Sequence, residues 1–195
     1  MKKALQIFFL TAFVFIMVIG RVQLWLGIFL ISLLLAPFLG RIYCGYICPI
    51  NTLTEATQKI SKKNKIKIPK WIKHPTVRYI ALGLLMTIMI FAMKSGKKLP
   101  LLPILTGIGV LLSLIFEEAL WHRYLCPYGT LQSIFAKKTK KAYEVDSKKC
   151  ISCGKCAKVC PDDAISGKVA LIDKSECLLC GRCAEVCPVD AISKI

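Results

Sequence analysis

Apolar residues along the chain gather into four long runs in the first two thirds and break into short pieces in the last third. The runs cover residues 4–20, 22–40, 77–93 and 99–121, with almost no charge inside any of them. The second is 19 residues long. At ~1.5 Å rise per residue such a helix covers about 28 Å, close to the hydrocarbon core of a bilayer. The pattern predicts an α-helical membrane domain of four transmembrane helices over residues 1–143, the first and third runs being lengthened by neighbouring turns. Buried core helices of a soluble protein fit four such uncharged runs less well. Residues 144–195 are polar, with short elements only, and predict a separate small α+β domain. Within it "KVALID" (168–173) reads as a strand, and "AKVC" and "AEVC" as short helical turns.

Charge sharpens this division. The net charge is +17. Residues 1–143 carry 20 Lys/Arg and 3 acids, whereas residues 144–195 carry 8 of each. The excess flanks the apolar runs, so anionic lipid accounts for it and nucleic acid is excluded as a partner. Loops heavy in lysine and arginine alternate with light ones, which predicts an inner-membrane protein with both termini in the cytoplasm. The N-terminal "MKKALQIFFLTAFVFIMVIGR" has the charged start and apolar core of a signal peptide. It lacks a small-x-small cleavage site and is read as a first span. The stretch "KISKKNKIKIPKWIK" (59–73) alternates lysine with Ile and Trp, and lies either along the anionic leaflet or in water as a basic loop. Trp25, Trp71 and Trp121 are placed at water–lipid interfaces, and His74 on the surface.

Cysteine spacing carries the chemistry. Eight of the 11 cysteines lie in the last 46 residues, as C-x2-C-x2-C-x3-C-P written twice: "CISCGKCAKVCPDDAIS" (150–166) and "CLLCGRCAEVCPVDAIS" (177–193), offset by 27. A disulfide framework does not use this spacing, and zinc sites use pairs of Cys-x2-Cys rather than triplets with a remote fourth. Three closely spaced thiolates hold one face of a cubane cluster, and the fourth crosses to the other cluster. This assigns Cys150, Cys153, Cys156 and Cys187 to one [4Fe–4S] cluster and Cys177, Cys180, Cys183 and Cys160 to a second. Gly154 and Gly181 let the backbone approach sulfide, and Pro161 and Pro188 fix the turn after the crossing ligand. Residues 146–195 therefore resemble the bacterial two-cluster ferredoxins. That resemblance implies a pseudo-twofold βαββαβ domain passing single electrons.

A second repeat lies upstream. Laying "IYCGYICPINTLTEATQK" (42–59) on "WHRYLCPYGTLQSIFAKK" (121–138) puts Cys48-Pro49 on Cys126-Pro127 and Thr52-Leu53 on Thr130-Leu131. Cys44 then falls on His122. Together with the ferredoxin tail, these stretches resemble the NapH/MauN-type membrane ferredoxins, within the wider Cys-x3-Cys-Pro iron–sulfur proteins. The resemblance implies electron transfer between the quinone pool, or a cytoplasmic donor, and a partner redox protein. Reduction of a metal or thiol during another protein's assembly, or redox regulation, is the alternative. His122 departs from the family's usual pattern. If the repeats pack about a twofold axis, Cys44, Cys48, Cys126 and His122 converge. The sequence leaves three readings open for them: a third metal or iron–sulfur centre at the membrane surface, a redox thiol pair, or structural residues. Unliganded thiols beside a redox chain oxidise easily, which favours the first. Glu117 and Glu118, one turn before His122, are candidates for proton transfer at a quinone site, or for a salt bridge to Arg41 or Arg123. No haem, Gly-x-Gly-x-x-Gly or phosphate-loop motif is present. The chain is thus read as an electron-transfer subunit working with other redox subunits, with no catalytic site of its own.

Overall fold

The structure, a computed structural model, describes residues 2–60, 66–69, 71–94, 101–167 and 169–195. It forms two compact units, one of Met1–Pro49 with Leu131–Ile195, the other of Ile50–Thr130.

The first unit begins with helices α1 (Lys2–Val18) and α2 (Val22–Leu39). They pack through aromatic rings. Phe13 meets Trp25 edge-on at 5.1 Å, and Phe29 meets Tyr43 at 5.3 Å. Trp25 is 1% exposed, and its Nε1 donates to the Tyr43 hydroxyl at 2.9 Å. A buried indole is stable where its N–H finds such an acceptor. After α2 the chain enters a π-turn, Tyr43–Ile47, closed by the Cys48 N–H donating to the Tyr43 carbonyl at 2.8 Å. Cys48 is extended, and Pro49 opens helix α3 (Pro49–Ile60). Proline suits a first helical position, where no N–H partner is needed.

The C-terminal part of this unit runs β1 (Tyr143–Val145), α7 (Lys155–Lys158), β2 (Ile165–Ser166), β3 (Leu171–Ile172), α8 (Arg182–Glu185) and β4 (Ile192–Lys194). Strands β1 and β4 pair antiparallel, with Val145 opposite Ile192, and β2 pairs with β3, Ile165 opposite Ile172. First pairs with last and the inner two with each other, so the 27-residue sequence repeat becomes a pseudo-twofold structure. The core between the halves holds Cys156, Ile165, Ala170, Cys183 and Ile192.

The second unit holds the body of α3, then α4 (Pro75–Lys94), α5 (Leu101–Ile115) and a second π-turn, Leu120–Leu125. This turn is closed by the Cys126 N–H on the Trp121 carbonyl at 2.7 Å. Cys126 is again extended, and Pro127 opens α6 (Pro127–Phe135), which runs on into the first unit. Ile68, Ala119, Leu120 and Tyr124 form the local core.

The expected four-span membrane domain is not what the fold contains. Among the described residues no helix is long and apolar enough to cross a membrane. The lengths explain it. Helices α1 and α5 have 17 and 15 residues, roughly 26 and 22 Å, short of the ~30 Å hydrocarbon core. Helix α2 carries Pro37 and stops at Gly40. Helix α4 holds Arg78 in its first turn and ends on Lys94. The run over 99–121 does not form one helix, because Phe116 leaves α5 to bridge Ile66 and the chain then widens into the π-turn. Trp25 and Trp121 are buried rather than interfacial, while Trp71 is 73% exposed. Parts of the basic 59–73 stretch and of the 99–121 run lie outside the described residues. So does Lys168, and the strand expected over 168–173 covers Leu171–Ile172.

One contact in the first unit is testable at once. A Cβ on Gly45 would clash with the Leu178 carbonyl oxygen, whereas a Cβ on Gly83, within α4, meets nothing within 4 Å. Gly45→Ala is expected to cost about 1–3 kcal/mol through overpacking, several degrees of melting temperature. Gly83→Ala is expected to be neutral, or to stabilise by about 0.5–1 kcal/mol. Thermal denaturation of the two variants side by side checks this.

Candidate functional site

Each half of the βαββαβ region folds its cysteine loop the same way. Ser152, Gly154 and Asp163 have φ of 55°, 70° and 49°. Their partners 27 residues on, Leu179, Gly181 and Asp190, have 57°, 82° and 47°. Left-handed backbone at a leucine costs roughly 1–2 kcal/mol and persists only where the surroundings enforce it. These turns curl the ligand loops so that the thiols face inward. The Ala164 N–H donates to Cys160 Sγ, and the Ala191 N–H to Cys187 Sγ, each at 3.3 Å. The short helices α7 and α8 carry Cys156 and Cys183.

The thiols divide into two cavities. Cys150, Cys153, Cys156 and Cys187 line one, closed by Val145, Ile165 and Ile192 among others. Cys160, Cys177, Cys180 and Cys183 line the other, with Tyr143, Ile172 and Leu178. Each cavity takes three thiols from one motif and the fourth from the other. Among the described residues, no group of three or more His, Cys, Asp or Glu closes around a single metal ion. Four thiols around an apolar cavity, rather than at one point, form the donor set a cubane needs and a lone zinc ion does not. Burial pushes the thiols of Cys160 and Cys183 up to about 12, and raises Cys156 and Cys180 as well. Without iron these groups are therefore neutral at pH 7, and loading must displace their protons.

The two cavities differ in what covers them. The loop of the second is overlaid by the first π-turn. The Tyr46 hydroxyl donates to the Leu179 carbonyl at 3.1 Å, and Gly45 lies against the Leu178 carbonyl. Lys2 Nζ donates to the Cys180 carbonyl at 3.3 Å, and Gln6 ties α1 to the turn through the Gly45 carbonyl at 3.2 Å. Beneath the turn, Arg41 is 1% exposed and its guanidinium binds the carboxylates of Asp162 and Glu176, the latter at 2.8 Å. It also donates to the Glu176 carbonyl at 3.2 Å. Burial lowers its proton affinity, but Asp162, Cys44 and Glu176 more than offset that, so the net shift is upward and Arg41 stays charged. Asp162 follows the crossing ligand Cys160, and Glu176 precedes Cys177. The ion cluster therefore clamps both ends of the second ligand set.

The upstream residues make local contacts within their own units. Cys44 and Cys48 are buried in the first unit. Burial raises the Cys44 thiol, Arg41 opposes it and Asp162 adds to it, with a net upward shift. A thiol held neutral in this way is a poor nucleophile. In the second unit His122 is 5% exposed, and its Nε2 shares a hydrogen bond with Thr54 Oγ1 at 3.1 Å. Cys126 Sγ accepts the Gly129 N–H at 3.4 Å, so the thiol caps the first turn of α6 as a serine would. Glu118 is buried and Glu117 partly exposed. Sequence reading missed Asp162 and Glu176. The signal available was the asymmetry between the halves, since the positions 27 residues away hold Val189 and Lys149.

Comparison with known proteins matches these parts. A 4Fe-4S binding domain family covers residues 23–68 and again 99–145, one copy for each Cys-Pro stretch. A 4Fe-4S dicluster domain family covers residues 143–194. The protein MJ0749 of Methanocaldococcus jannaschii is 31% identical over 68% of this chain and 56% of its own. The methylamine utilization ferredoxin-type protein MauN of Methylobacillus flagellatus is 26% identical over 68% of this chain and 52% of its own. The ferredoxin-type protein NapH of Haemophilus influenzae is 27% identical over 70% and 53%. The chain thus spans about half the length of these relatives.

The clamp makes a sharp prediction. Arg41→Met leaves two carboxylates buried without their cation and is expected to cost about 3–5 kcal/mol. The triple variant Arg41→Met/Asp162→Asn/Glu176→Gln is expected to recover much of that loss. Chemical denaturation of the iron-loaded proteins measures both.

Proposed function

Because the chain belongs to the NapH/MauN-type 4Fe-4S ferredoxins, we propose that it relays single electrons through two [4Fe–4S] clusters, one in each four-thiol cavity, between a partner redox enzyme and either the quinone pool or a cytoplasmic donor. The observation that carries this reading is the pair of cavities, each lined by three thiols of one motif and one of the other. When bound, the clusters supply one-electron carriers of low potential. The residues of the chain hold, insulate and couple them. Cys156 and Cys183 stand in the shared core, and Ala164 and Ala191 hydrogen-bond to the crossing sulfurs. Such N–H···S bonds stabilise the more negative, reduced state and raise the potential.

The helices of the first unit expose apolar side chains, among them Phe8, Phe15, Leu34 and Phe38 at 64–73%. Large apolar faces mark contact surfaces. Lys3 in the first turn of α1 and Arg21 before α2 are exposed, and the chain carries a net charge of +17, so anionic lipid is the favoured occupant of these faces. For Cys44, Cys48, Cys126 and His122 the supported roles are structural: a buried neutral thiol, a helix cap and a hydrogen bond to Thr54.

Iron and acid-labile sulfide analysis of anaerobically purified protein, with EPR of the reduced state, tests the assignment. Wild type is expected to hold about eight iron and eight sulfide. Cys153→Ala and Cys180→Ala are each expected to lose about four of each, with the loss of different EPR components. Cys44→Ala/Cys126→Ala is expected to keep all eight. Zinc in place of iron would overturn the reading. Iron above eight that the last variant alone removes would assign a third centre to those cysteines.

A further inference from the structure

The same ligand loop occurs twice, and among the described residues only one copy is covered. Around Cys177 the loop is shielded, with Leu178 at 3% and Leu179 at 0% exposure. At the equivalent place around Cys150, Ile151 is 60% exposed, and Ser152, Cys153 and Gly154 are all exposed. A Cβ on Gly154 meets nothing within 4 Å, while one on Gly181 meets the Tyr143 hydroxyl at 3.0 Å. The chain itself shows what a cover for this loop looks like: a wide helical turn whose backbone lies on the loop carbonyls.

The uncovered loop has its own charge. Lys148, Lys149, Lys155 and Lys158 surround it, all exposed. The residues 27 positions on are Ser175, Glu176, Arg182 and Glu185. Four cations thus stand where the covered half has one cation and two acids. Two acids stand near the same loop: Asp146, whose Oδ1 accepts the Lys148 N–H at 2.9 Å, and the exposed Asp190, between the cavity-lining Val189 and Ala191, so the cations remain in excess. An exposed isoleucine over a solvent-facing ligand, ringed by lysines, has the make-up of an electron-transfer contact: a small apolar centre with a charged rim that orients the partner.

Resting on the electron-relay reading, we propose that the loop Cys150–Lys155, with its ring of Lys148, Lys149, Lys155 and Lys158, is the docking face for an acidic redox protein, and that electrons pass between that protein and the chain through the cluster of Cys150, Cys153, Cys156 and Cys187. The cluster under the π-turn is the inner station. Each event moves one electron. A reduced partner centre loses it, the cluster passes from the 2+ to the 1+ state, and no bond is made or broken.

The test uses the full, iron-loaded chain and a reduced acidic [2Fe–2S] plant-type ferredoxin as probe. Stopped-flow gives the bimolecular rate constant against ionic strength, and carbodiimide coupling with mass-spectrometric mapping gives the contact directly. Expected are a rate that falls steeply with salt and amide cross-links at the four lysines. Lys148→Glu/Lys149→Glu/Lys155→Glu/Lys158→Glu is expected to slow the probe tenfold or more at low salt and abolish the cross-links. The corresponding Lys→Gln variant should fall in between. Lys137→Glu/Lys138→Glu, changing charge elsewhere, should slow it far less. Iron content, EPR and reduction by dithionite report on the clusters themselves. If dithionite fails to reduce wild type, the relay reading fails. If dithionite reduces every variant and the probe rates match wild type, the docking face fails. Cross-links at other lysines, or lysine-dependent sedimentation with anionic vesicles in place of cross-links, would also overturn it.

Discussion

Arg41 is the residue on which the first unit turns. A guanidinium this deeply buried is stable only if its donors find anionic partners, and two come from the far end of the sequence. Asp162 and Glu176 stand beside ligands of the same cavity. One side chain at the end of α2 thereby fixes the loop that the π-turn covers. Gly45, Tyr46, Gln6 and Lys2 then add contacts that are individually small but all act on the same few carbonyls. The helices are organised around the second ligand set, and its geometry is held from outside its own motif.

Two near-identical motifs thereby acquire different surroundings. The left-handed turns repeat within a few degrees for the leading residues and the final aspartates, so the local backbone treats the two cysteine sets alike. What differs is contributed by side chains the motif does not specify: valine against aspartate, lysine against glutamate, an isoleucine in solvent against a leucine under cover. Cluster potentials respond to solvent exposure and nearby charge, so the two clusters proposed for these cavities would not be equal in energy.

The ferredoxin part was legible because its cysteine spacing is a chemical constraint, and thiols at those intervals face two cavities when the chain folds. The helices were legible as helices, since long apolar runs leave few other choices. Their extent was not. The run over 99–121 looks continuous, yet the bridge of Phe116 to Ile66 and the π-turn at Leu120 divide it, and both depend on contacts distant in sequence. The π-turns also escaped reading, because a turn of five or six residues leaves no hydrophobic period of its own. The sequence offers Arg41 as a salt-bridge partner for Glu117 or Glu118, whereas the carboxylates it binds are Asp162 and Glu176, more than 120 residues away.

The two π-turns bear on ancestry. Both Cys-Pro stretches have the same backbone: a wide turn, an extended cysteine, then a helix opened by proline. Yet Cys44 in one copy is His122 in the other. A shared conformation in both copies is inherited most simply from a single precursor that already had it. The wide turn therefore predates the duplication, and the side chain at the 44/122 position diverged afterwards. In one copy the turn came to lie on a cysteine loop, and in the other it packs a histidine against Thr54, so a single inherited backbone device was put to two uses.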